Sequence, residues 1–207
     1  MSIDFSPVHS GAVKLGEFAR PFQVEDLHSA TNASVDYLLD IIRDVRNDAE
    51  INFIPYDPEA NDPHAVMGER NIGWSLGHLV AHVTASSEEA AAIASLLARG
   101  VPYGREPRLR YETPWREINT RAKAMQRLEE SRRIRLGYLA AFPSMPHLDN
   151  LCALSERGKD RYGDLNAVGQ FLSGLLHETG HYAQFREAAR QAEEAAREGK
   201  NNAQVGD

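Results

Sequence analysis

A chain of 207 residues with 42% hydrophobic and 26% charged residues has ordinary globular usage. At this length it buries roughly 70% of the surface its unfolded form exposes, so it needs no disulfide to fold. The formal charge of −7, from 30 acidic against 23 basic residues, argues against a nucleic-acid partner, whose phosphates demand a basic face. No apolar run approaches the ~20 residues that span a bilayer, so no membrane partner is expected. The opening MSIDFSPVHSG has neither the basic nor the apolar region of a secretory signal. A lone cysteine, Cys152, fits a reducing compartment and reads as a buried, inert thiol. The expected location is the cytoplasm.

In chain order, residues 1–24 carry Pro7, Gly11, Gly16 and Pro21 without periodicity and read as an irregular arm. From Glu25 to about Asn47, Leu27, Val35, Leu38, Leu39, Ile42 and Val45 recur at helical spacing. Pro55, Pro58, Pro63 and Gly68 exclude a helix over 52–70. Asn71 to Arg99 reads as a second helix, with Asn71 as N-cap and Gly100 as stop. A connector over 100–113 precedes Thr113-Pro114, an N-cap and first-turn proline for a third helix that ends before Pro143. Its RAKAMQRLEESRRIR run reads as a solvent-exposed charged stripe. After a connector with a short helix near 150–156, the fourth helix runs from about Leu165 to Glu198, with Asp164 as cap. The expected architecture is all-α, a four-helix bundle over 25–198 with a flexible tail at 199–207. The 100–113 connector is long enough to cross the bundle, so helices two and three can lie parallel.

Four of the eight histidines form two i,i+4 pairs, His78/His82 and His177/His181, on the second and fourth helices. Residues four apart stand one turn above each other, the spacing that lets two imidazoles reach one ion. Helical projection puts His82 at the edge of the apolar arc formed by Ile72, Leu76, Leu79, Val80 and Val83. His78 lies about 40° further toward the polar side, as a neighbour that orients a ligand, a fourth ligand or a surface residue. On the fourth helix Gln170, Gly174, His177, His181 and Gln184 share a narrow polar band, and Glu178 also faces inward. The expectation is one divalent ion on His82, His177 and His181, with an open position. HETGH also matches H-E-x-x-H, in which the Glu is a general base. Such proteases hold peptide against a sheet, and no strand pattern is present.

These residues resemble the DinB-like superfamily. NIGWSLGHLVAHVTAS is similar to its W-S-x(6)-H signature through Trp74, Ser75 and His82, and HETGHYAQ to its H-x(3)-H…Gln signature through His177, His181 and Gln184. The likeness spans roughly residues 25–190; His78 and the HExxH overlap lie outside the general signature. It implies an up-down-down-up bundle and a divalent metal held by His82, His177 and His181; imidazole ligands make zinc or nickel the first expectation and iron or manganese the next. It also implies relatives that include thiol-dependent S-transferases using bacillithiol and mycothiol-dependent maleylpyruvate isomerase.

The first functional expectation is therefore a metal-dependent transferase with a low-molecular-weight thiol co-substrate, Glu178 or His78 accepting the proton and a small molecule as substrate. The second is a hydrolase in which the ion activates water. The third is a non-catalytic, stress-associated metal-binding protein, as a homodimer. His9 and His28 read as surface residues. His64 and His147 lie in connectors that can cap a pocket, and Trp74 and Tyr182 read as packing residues.

Overall fold

The structure is a computed structural model that describes residues 3–62, 65–103 and 107–204, with side chains described as far as 198. Among the described residues all regular structure is helical, with no strand. The elements are α1 (Ser6–His9), α2 (Leu15–Phe18), α3 (Val24–Asp44), α4 (Asp48–Asn52), α5 (Leu76–Ala98), a 3₁₀ turn (Trp115–Glu117), α6 (Arg121–Ala140), α7 (Glu156–Tyr162), α8 (Ala167–Gly180) and α9 (Tyr182–Gln204). None is long and apolar enough to cross a membrane. His64 lies outside the described residues.

The chain divides into two compact units, and α3, α5 and α6 each contribute to both. The first unit comprises Met1–Asp36, Val83–Tyr111 and Glu129–Gly180. Its core gathers Leu15, Leu27, Leu97, Leu139, Leu165, Phe171 and Leu172. The segment expected to be an irregular arm belongs to this core: it forms α1 and α2, and Phe5, Leu15 and Ala19 are buried. Gly16 permits this, because a Cβ there would sit 2.1 Å from the carbonyl oxygen of Asp164. The second unit comprises Tyr37–His82, Glu112–Leu128 and His181–Asp207. Leu38, Leu39, Ile42, Leu76, Leu79, Leu128 and Phe185 are buried in the chain's interior there, and α4 packs on α9.

Three helix starts differ from the sequence expectation, each for a capping reason. The second helix begins at Leu76 rather than Asn71: the Oγ of Ser75 accepts from the His78 amide at 3.2 Å. In the third, Thr113-Pro114 opens only the 3₁₀ turn, and α6 starts after Thr120, whose Oγ1 accepts from the Lys123 amide at 3.2 Å. The break follows from Ile118, which is buried and holds non-helical dihedrals of −86° and 64°. In the fourth, Asn166 rather than Asp164 caps α8, its Oδ1 accepting from the Gly169 amide at 3.0 Å. The same run is interrupted at His181, directly after Gly180, a residue that weakens a helix interior. The short helix expected near 150–156 forms later, as α7, behind a Ser155 cap.

The 3₁₀ turn bears on α5 through Gly77, where a Cβ would lie 2.4 Å from the Ile118 carbonyl oxygen. A backbone atom cannot swing aside as a side-chain tip can. Gly77→Ala is expected to lower stability by about 1–3 kcal/mol, read as a lower urea midpoint at unchanged slope.

Candidate metal centre

Ser75 starts α5 so that His78 and His82 occupy its first two turns, and the end of α8 delivers His177 one turn before His181. One ligand atom from each of His82, His177 and His181 lies within 4.8 Å of the others. Three nitrogens on a tetrahedral ion at about 2.1 Å would stand roughly 3.4 Å apart, so modest closure completes the set. The donors are chemically uniform: all are imidazoles, and all are partly buried. The residues fit a divalent ion of the kind that takes nitrogen ligands.

Orientation is supplied by neighbours. The rings of His82 and His181 meet edge to face with centroids 5.1 Å apart. Nδ1 of His181 lies 2.8 Å from Oε1 of Gln184. An amide oxygen only accepts, so Nδ1 carries the proton and the Nε2 lone pair is left for an ion. Gln184, expected beside the site from the polar band, thus fixes a tautomer. Nδ1 of His82 faces Oε1 of Glu112 at 4.0 Å, which favours the same tautomer electrostatically.

Trp74 forms a wall, its ring centroid 4.6 Å from that of His82 and 5.8 Å from that of His181. It is partly exposed and does more than pack. His78 stacks between two indoles, 4.5 Å from Trp74 and 5.0 Å from Trp115. Burial pushes its pKa below the ordinary histidine range, against the opposing pull of Glu112, Asp62 and Glu69. His78 is a neutral stacking partner of the wall and stands outside the histidine triplet.

Glu178 occupies a different setting from that of an HExxH base. It is fully buried, and both its oxygens lie 3.2 Å from Nη1 of Arg135. Ser34 donates to Oε1, and Ser87 donates to Oε2 at 3.0 Å. A carboxylate with three donors on it anchors the helical turn that carries His177. Arg135 corrects the expectation of an exposed stripe on the third helix, since its side chain is 1% exposed. It shares one face of α6 with Ala124, Leu128, Ser131 and Leu139, all buried.

Residues 108–112 of the connector run back along α5. Tyr103 donates to the Pro107 carbonyl at 2.6 Å, closing the start of the run. Arg108 then pairs with Glu89 through two bonds of 3.1 Å, Arg110 donates to Ser86, and Glu112 faces His82. Every second connector residue meets the next turn of α5. These residues were not among the sequence candidates, although the alternation in RLRYE carried the signal. His147 lies elsewhere: its ring covers Gly100 and its amide bonds the Ala98 carbonyl at 2.9 Å, stopping α5. His9 and His28 are exposed. Tyr182 packs on Tyr37 with tilted rings whose centroids are 4.2 Å apart, and Cys152 is buried.

No family model, curated protein or solved structure matches this chain. Function is therefore argued from the site.

Removing one half of a buried ion pair strands the other charge. Glu178→Ala is expected to cost about 3–5 kcal/mol of unfolding free energy, and the double replacement Arg135→Met/Glu178→Met much less. Urea titrations of the single and double variants read the difference.

Proposed function

We propose that His82, His177 and His181 hold one divalent metal ion, zinc or nickel first and iron or manganese next, and that the protein is a thiol-dependent transferase of the DinB-like type. The observation that carries this reading is the convergence of three imidazole ligand atoms within 4.8 Å, with a glutamine orienting one ring. The proposal includes the up-down-down-up four-helix arrangement of that superfamily, for which the connector along α5 is the supporting feature. It also includes a cytoplasmic, homodimeric protein acting on a small molecule.

A divalent ion on neutral imidazoles keeps its full charge and, with a position open, favours the thiolate form of a low-molecular-weight thiol. The chain's residues supply the rest. Gln184 and Glu112 hold their histidines in the ligating tautomer, and Trp74 shields one side from water. In the transfer the sulfur forms a bond to an electrophilic carbon, the leaving group departs with its electron pair, and the thiol proton is released to solvent. Neither Glu178 nor His78 is placed to accept that proton, because Glu178 is committed to Arg135 and the serines, and His78 lies between two indoles.

The same commitment of Glu178 favours thiol over water. Hydrolysis at H-E-x-x-H needs that carboxylate next to the attacking water, and here it faces Arg135. A non-catalytic metal protein is the remaining reading, and turnover decides it.

Metal analysis of untagged protein is expected to give one ion per chain, with none retained after dialysis of His177→Ala. Gln184→Ala keeps all three ligands and is expected to bind about 10–100-fold more weakly in a competitive chelator titration. Wild-type protein without stoichiometric metal would remove the basis of this reading.

With metal-loaded protein and a panel of electrophiles, consumption is expected to depend on added thiol and to be lost in His82→Ala, which removes a ligand of the ion. Rates indifferent to every thiol point to the hydrolase; no turnover with any substrate points to the non-catalytic protein.

A further inference from the structure

Two polar groups of α6 lie in the interior of the first unit without a protein partner. Ser131 is 0% exposed, and among the described residues nothing hydrogen-bonds its Oγ. Arg135 is 1% exposed, and its Nη2 is likewise without a hydrogen-bond partner. The two residues stand four apart, one turn above each other on the buried face of the helix. A buried polar group that stays unpaired carries the full cost of its desolvation, so each needs something to complete it.

What holds the guanidinium explains why the two do not pair with each other. Nη1 lies 3.2 Å from both oxygens of Glu178, and Nε donates to the Ser131 carbonyl at 3.4 Å. A guanidinium is planar, so these contacts set its plane, and one N–H of Nη2 runs parallel to Nε–H, toward the same turn of α6. Turning the plane to bring Nη2 onto the Ser131 hydroxyl would weaken both contacts. The hydroxyl also leaves unused the usual retreat of a helical serine, a bond to the carbonyl four residues earlier.

Charge and size decide what can complete them. Glu178 already neutralises Arg135, and Ser34 and Ser87 donate to its two oxygens. A further anion would be uncompensated in the interior, and a cation would face a guanidinium. The ligand is therefore neutral. It must accept from Nη2, bond a hydroxyl, and be small enough to lie where neither residue reaches solvent. Water meets all three conditions.

We propose that Ser131 Oγ and Arg135 Nη2 together hold one internal water molecule. With Nη1 on the carboxylate, Nε on a carbonyl and Nη2 on the water, every nitrogen of the guanidinium is engaged. The water thus joins the set of contacts that position Arg135 against Glu178, and through Glu178 the turn carrying His177. The inference rests on the buried pair and is independent of the metal reading.

The test uses the full chain and two variants, Ser131→Thr and Ser131→Val, whose side chains share one shape and differ by the hydroxyl alone. Wild-type crystals that resolve ordered solvent are expected to show one peak within about 3.2 Å of both Ser131 Oγ and Arg135 Nη2. Magnetic relaxation dispersion of the water signal counts molecules held for longer than the protein tumbles. It is expected to give Ser131→Thr the wild-type count and Ser131→Val about one fewer. The wild-type density decides the matter even where a variant fails to fold. No solvent peak at Nη2, a direct bond between the Ser131 hydroxyl and Arg135, or equal counts in the two variants overturns the inference.

Discussion

The buried pair of Glu178 and Arg135 is the constraint on which the candidate site depends. It lies within the H-E-x-x-H string and fixes the turn carrying His177 at the end of α8. A charge held without water must be met by opposite charge and by hydrogen bonds, and both are present: one guanidinium, two serine hydroxyls. The donors come from α3, α5 and α6, so three helices converge on one turn of a fourth. Rotating that turn to present His177 differently would strand at least one of them. The energetic cost of such a rotation holds the ligand direction before any ion arrives.

This arrangement also explains why a string that matches a hydrolytic motif need not behave as one. The motif encodes only spacing along a helix. Whether its Glu faces the ion or the core is decided by what the neighbouring helices offer. Here α6 offers an arginine at a position where its other core-facing residues are Ala124, Leu128, Ser131 and Leu139.

Much of this was readable from the chain, for identifiable reasons. The i,i+4 histidine pairs obey helical geometry, and projection alone separated His82 from His78. Gln184 followed from the polar band it shares with His181. What could not be read depended on tertiary partners. Arg135 looked like one more surface cation until Glu178 was placed beside it. Asn71, Thr113 and Asp164 are sound capping residues by type. Ser75, Thr120 and Asn166 cap instead; for the first two, a buried Ile118 and its close approach to Gly77 decide where helical dihedrals begin. The roles of Arg110 and Glu112 required knowing that an apparently unstructured connector runs in register with α5.

The stack around His78 gives the protein an optical property. Trp74 and Trp115 are its only tryptophans, and both have an indole face against this one imidazole. Trp74 additionally touches His82 and His181. All of the chain's tryptophan emission therefore originates within one ring stack, on the border of the three histidines. Occupation of those histidines, or displacement of the stack by a ligand, alters the surroundings of an emitting indole directly. The native chain is thus its own fluorescent probe of this site, with no label to attach and no distant tryptophan to dilute the signal.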